Sequence, residues 1–307
     1  MTKLTRRHLL AAGSALPLAG LAAGTARAEA PMMGASFATH RRFMIGDFEV
    51  TTILGGTTPR EAPQGIFGMN VSEEEFATVS RDNFLSTEAS QFFFTPTLVN
   101  TGSEVVLFDT GLNAAATVAA LEGAGYTADQ VDVVVLTHMH GDHIGGLMND
   151  GAPTFANARY VTGQMEFDHW AGAENEGFEA NVRPLAENMT FLGDGGDVVS
   201  GITGMAAFGH TPGHMVYRLD SAGAGLVIFA DLANHPVWSL ARPDWEVRFD
   251  ADKEAAAASR RNVLGMINAD RIPAIGYHMP FPAVGYVDTG SNGAEFRWVP
   301  EAGQLMG

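Results

Sequence analysis

Four groups able to hold a metal cation, His138, His140, Asp142 and His143, fall within six positions of the string Thr137-His-Met-His-Gly-Asp-His-Ile-Gly-Gly. Imidazole nitrogens and carboxylates are ligands for zinc-like cations. A lone histidine is more often a satisfied core or surface residue, but no packing pattern asks for this density of ligating groups. The segment predicts a metal site. The chain has no cysteine, so disulfides and thiolate ligands are excluded and any cation must be held by histidine and carboxylate.

Three further stretches offer ligands: Gly209-His210-Thr211-Pro212-Gly213-His214, Phe229-Ala230-Asp231 and Gly276-Tyr277-His278. Each alone is weak, because an Asp or His closing a strand is more often a capping or surface residue; together they make a constellation. Two divalent cations about 3.5–4 Å apart would share a hydroxide, formed because bound water loses its proton near neutral pH, and would polarise a carbonyl or phosphoryl oxygen. Asp142 is placed to take the proton and pass it to the leaving alkoxide. Hydrolysis is the reaction this set permits.

These groups need strands whose ends converge. A hairpin is predicted from Phe43 to Leu54, with strands at Phe92 to Val99 and Glu104 to Phe108. Asn113 caps a helix from Ala114 to Glu122, which Gly123 and Gly125 stop. Val131 to Leu136 is a continuous apolar run, a strand buried on both faces, and the histidine cluster begins where it ends. Strand patterns recur at Val198 to Phe208, Met215 to Leu219, Leu226 to Phe229, Ile272 to Tyr277 and Glu295 to Val299, with a helix from Asp252 to Ile267. This order, with ligands at strand ends, predicts an α/β protein of two sheets packed face to face with helices outside.

The motifs resemble the metallo-β-lactamase superfamily: a strand ending in Asp109 within Phe-Asp-Thr-Gly, then His-x-His-x-Asp-His, a Gly-His, an Asp and a last His, in that order. The resemblance implies an αββα sandwich. It implies that His138, His140 and His214 hold a first metal and Asp142, His143 and His278 a second. Asp231 would bridge them, Asp109 would orient ligands, and His210 would be a loop or supporting residue. The cofactors implied are two divalent ions, zinc expected. His235, beside Asp231, is within reach of the site. The string from His278 to Tyr286 and the segment Glu166-Phe-Asp-His-Trp170 are similar to the methyl-parathion-hydrolase-like branch, which includes phosphotriesterases and homoserine-lactone lactonases. Lactonases of one branch carry a Tyr three residues after the bridging Asp; Asn234 stands there, leaving Tyr277 or Tyr286 as substitutes or the role unfilled.

Function is therefore expected to be opening of a neutral ester or lactone, N-acyl homoserine lactones among them. The alternatives are an organophosphate phosphotriesterase or arylesterase and, behind it, a metal-dependent oxidoreductase. Ile66, Phe67 and Met69 in Pro63-Gln-Gly-Ile-Phe-Gly-Met are expected to form a mobile lid, because Gly65 and Gly68 allow hinge motion, with Phe92 to Phe94 and Trp170 as pocket walls. A formal charge of -17 repels phosphate backbones, which argues against nucleic acid and for a small neutral substrate held with few cations nearby. Oligomeric state is left open, a homodimer included. Residues 1–28 read as a twin-arginine-type signal peptide: Arg6-Arg7 precedes an apolar run and Ala26-Arg27-Ala28 a cleavage site. That reading implies a periplasmic or secreted protein without lasting membrane insertion, and one hydrolase domain over residues 29–307 of the 307.

Overall fold

The structure, a computed structural model, describes residues 31–305, so the expected signal peptide lies outside the described residues. The chain divides into Met1–Ser36, whose described residues 31–36 carry no regular secondary structure, and Phe37–Gly307. In the latter, one seven-stranded sheet takes, in spatial order, His40–Ile45, Phe48–Ile53, Thr97–Asn100, Val105–Phe108, Val133–Leu136, Arg159–Gly163 and Met189–Leu192. The second takes Asp197–Val199, Ile202–Ala206, Met215–Ser221, Ala224–Ala230, Pro273–Gly276, Val284–Thr289 and Phe296–Pro300. Both are mixed: Val133–Leu136 lies parallel to both its neighbours, and Ala224–Ala230 is parallel to Pro273–Gly276.

The period-2 alternation of side chains explains the layers. Val133 and Val135 join Tyr217, Leu219, Ile228 and Ile275 between the sheets. Val134 and Leu136 point the other way, onto Leu121 of helix Ala114–Gly123. Helix Lys253–Asp270 covers the outer face of the second sheet through Val263, Leu264 and Ile267. Both helices start where expected: the Asn113 side chain accepts from Ala116 N–H at 2.9 Å and Asp252 from Ala255 N–H at 3.0 Å. The architecture is the αββα sandwich.

Two expected strands are broken. Phe92 to Val99 divides at Pro96, which cannot donate to a ladder; Ala89–Phe94 leaves the sandwich and pairs with Gly56–Glu61 in a separate two-stranded sheet, while Thr97–Asn100 stays in the first. Val198 to Phe208 is a hairpin that turns at Gly201, whose φ of 81° suits glycine. Among the described residues, no helix is long and apolar enough to cross a membrane.

Candidate metal centre and pocket

The two sheets deliver their ligating side chains to one rim. His138 and His140 follow Val133–Leu136, Asp142 and His143 lie in the short helix Gly141–Ile144, and Asp231 and His278 follow Ala224–Ala230 and Pro273–Gly276. The glycines after the motif let the loop close, since a Cβ at Gly146 would sit 2.0 Å from the Thr110 carbonyl oxygen.

Two groups form. In the first, His140 Nδ1 is 3.0 Å from both His138 Nε2 and His210 Nε2, and Asp231 Oδ2 is 3.3 Å from His210 Nε2. In the second, His278 Nε2 is 3.3 Å and His143 Nε2 3.8 Å from Asp142 Oδ2. Asp231 stands between them: Oδ1 is 3.3 Å from His143 Nε2 and Oδ2 3.2 Å from His278 Nε2.

The donor atoms fit divalent cations. A tetrahedron with bonds of about 2.0–2.1 Å has edges of about 3.4 Å, close to these separations. His210 Nδ1 donates to Asp250 Oδ1 at 3.0 Å, His143 Nδ1 to Asp109 Oδ2 at 2.8 Å and His278 Nδ1 to the Phe93 carbonyl at 2.7 Å. Each bond turns the other ring nitrogen inward, where it can ligate a cation once it carries no proton. His143 Nε2 and Asp231 Oδ1 are buried with no hydrogen-bond partner, which is costly unless a cation meets them. Asp109 ties the cluster to the preceding strand: besides His143 it accepts from Thr137 N–H at 2.9 Å and Thr137 Oγ1 at 2.8 Å.

The first group contains His210 and not His214, which reverses the expected roles. Both His214 nitrogens are engaged with backbone: Nδ1 donates to the Ala207 carbonyl at 3.2 Å, and Nε2 accepts from Asp231 N–H at 3.3 Å. His214 thus positions the Asp231 main chain. His235 does not enter the site either; its Nδ1 caps a turn by accepting from Val237 and Trp238 N–H, both at 3.1 Å. Neither tyrosine is free to clamp a substrate here. Tyr277 is buried with its hydroxyl on the Asp142 carbonyl at 2.5 Å, and Tyr286 does not line the pocket. Asn234 instead donates from Nδ2 to Asp231 Oδ2 at 2.8 Å.

A cavity of about 430 Å³ opens over His140, Asp142, Asp231 and His278, walled by Phe92, Phe94, Leu112 and Phe249, with Arg60 on its lining. Of the candidate walls Phe92 to Phe94, the first and last line this cavity. The lid expectation is overturned: Ile66 and Phe67 are buried, Phe67 packs on Phe92, His235 and Trp238, and Arg248 N–H donates to the Ile66 carbonyl. Met69 is exposed outside the cavity. Gly68 is a packing glycine rather than a hinge, since a Cβ there would lie 2.8 Å from the Trp245 ring. Trp170 is not a wall but donates from Nε1 to Glu166 at 2.6 Å. Sequence reasoning missed Asp250, Leu112, Phe249 and Arg60; nothing local marks them, because each is brought in by an element whose position only the tertiary fold sets.

Comparison with known proteins agrees with this geometry. The family model of the metallo-beta-lactamase superfamily matches residues 95–274. The probable metallo-hydrolase YybB of Bacillus subtilis (strain 168) is 30% identical over 127 residues, 39% of this chain and 53% of that protein. The chain thus spans about half the length of that relative, and 23% of another, the anti-Pycsar protein Apyc1 of Paenibacillus sp. (strain J14), at 37% identity over 59 residues. Among solved structures, AidC, a dizinc quorum-quenching lactonase in complex with the product N-hexanoyl-L-homoserine, superposes with a TM-score of 0.78 at 25% identity, covering 86% of this chain and 97% of that one. The hydrolase AbOPH superposes with a TM-score of 0.79 at 23% identity, over 87% and 99% of the two chains. Two packed mixed sheets, the ligand order along them and a family match over more than half of the sequence leave one assignment: this chain belongs to the metallo-β-lactamase superfamily.

Proposed function

We propose that the protein is a dinuclear metal hydrolase, zinc its expected metal, that opens a neutral lactone or ester carrying an apolar arm. The observation that carries this reading is Asp231, shared between two ligand groups at the floor of a phenylalanine-walled cavity. Divalent cations held there would supply acidified water and electrophilic pull on the scissile carbonyl. His138, His140 and His210 would hold one and Asp142, His143 and His278 the other, with Asp231 common to both. Asp142 lines the cavity with part of its side chain exposed. In the metal-free chain burial works against its charge, but His143 and His278 outweigh burial and bring its pKa down to about 2; the carboxylate at the cavity is placed to accept a proton and pass it to the leaving oxygen.

Phe92, Phe94 and Phe249 suit an acyl chain. The cavity lining contains one cation, Arg60, but it is exposed, and an exposed charge contributes little binding energy against Asp142 and Asp231. It is available to the carboxylate that ring opening creates. The likeness to AidC supports the lactone over other esters. The test is a panel of lactones with short, medium and long acyl chains, aryl phosphotriesters and phosphomonoesters. Longer-chain lactones are expected to give the highest kcat/KM, and Phe249→Ala to raise KM more for long chains than for short. A lead of about tenfold or more for phosphotriesters would replace this reading with a phosphotriesterase.

A further inference from the structure

Glu166 is a fully buried carboxylate in helix Gln164–Ala171, and among the described residues no Lys, Arg or His forms an ion pair with it. A buried charge without a counterion is costly unless several donors converge on it. Four do. Oε1 accepts from Met139 N–H at 2.9 Å and Trp170 Nε1 at 2.6 Å; Oε2 accepts from Thr211 Oγ1 at 2.6 Å and Gly213 N–H at 3.0 Å. Met139 is the residue between His138 and His140, and Thr211 and Gly213 lie between His210 and His214. One oxygen thus holds the loop of the first sheet and the other the loop of the second.

We propose that Glu166 is a positioning residue that sets the separation of the two histidine loops, and through it the affinity of the His138, His140, His210 group for its cation. The proposal rests on the metal reading above. The rigid carboxylate fixes a distance that no covalent connection fixes, since His140 and His210 are far apart in sequence yet their nitrogens meet at 3.0 Å. The second loop is pressed onto the helix: a Cβ at Gly213 would lie 2.1 Å from the Glu166 backbone nitrogen. The other group takes nothing from Glu166; His143 is oriented by Asp109 and His278 by the Phe93 carbonyl.

A purely structural brace would lower stability and leave the two cation sites equally affected. A positioning role splits them. Glu166→Gln is discriminating because a carboxamide has one acceptor oxygen, so its NH2 must face the donors of one loop. Cobalt(II) titration of the metal-free full chain, followed by the visible absorption spectrum and with circular dichroism to check folding, reads the two sites without reference to turnover. Expected are two binding steps in the wild type and, in Glu166→Gln, one step weakened about tenfold or more with an altered spectrum, the other unchanged. Thr211→Val keeps the carboxylate and removes one donor, and should weaken the same step about threefold to tenfold. It decides the matter if Glu166→Gln does not fold. Two steps in the wild type with both variants unchanged, or with both steps weakened alike, would overturn the proposal alone. A wild type that binds no divalent ion would overturn the metal reading and this inference together.

Discussion

The two ligand groups share Asp231 but differ in their protonation. In the first, burial and the neighbouring histidines hold His138 well below the usual imidazole range, and burial, then His210, brings His140 down to about 4. In the second, burial also disfavours charge, but Asp231 and Asp142 outweigh it and push His278 up to about 9; His143 is raised in the same way by Asp231, Asp109 and Asp142. The metal-free protein therefore keeps His138 and His140 neutral and His143 and His278 as imidazolium paired with carboxylates. A cation entering the second group must displace protons, whereas these two histidines of the first have none to give up.

The largest test of this contrast removes what the groups share. Asp231→Ala is expected to lower bound metal from two ions and to reduce kcat/KM by about 1,000-fold or more; elemental analysis that still finds two ions, with activity intact, would refute the sharing. Next comes the pair in the Gly-His-Thr-Pro-Gly-His loop. His210→Ala should cost one ion, while His214→Ala should keep both and lose about 10–100-fold in activity by loosening the Asp231 backbone. The opposite pattern would restore His214 as the ligand. The smallest effect is pH dependence. Because the raised His278 must lose its proton, affinity at the second group should fall by about tenfold per pH unit below pH 9 from that proton alone, and more steeply with the proton of His143, while the first changes less, which cobalt(II) titration at pH 6, 7 and 8 measures. The sign for folding is opposite. Charged His278 stabilises the metal-free chain fully below about 6.5, and that contribution is lost as pH rises through about 9.

Much of this was legible in the sequence because strands announce themselves by apolar runs and ligands by sitting at their ends. Val133–Leu136 followed by four ligating groups, and Asp231 and His278 closing later strands, needed no structure to find. The choice between His210 and His214 did, because both follow a glycine in one short loop, and what separates them is Asp250 on one ring and the Ala207 carbonyl on the other. The lid error has a similar origin. Glycines flanking Ile66 and Phe67 look like hinges in a string of letters, but Gly68 is small because the Trp245 ring lies against it. Local patterns record what a segment can do; contacts between distant segments decide which option is taken.

The small hairpin sheet of Gly56–Glu61 and Ala89–Phe94 has an evolutionary consequence. Phe92 and Phe94 line the cavity, while the carbonyl of Phe93 between them fixes His278. On the proposed reading, substrate preference and metal retention fall to three consecutive residues, so a lineage adapting this wall to a new substrate would disturb His278 whenever it shifts the strand. Phe249 and Leu112 carry no such double duty, since neither holds a ligand by a hydrogen bond. Adaptation that preserves the chemistry has its free ground there.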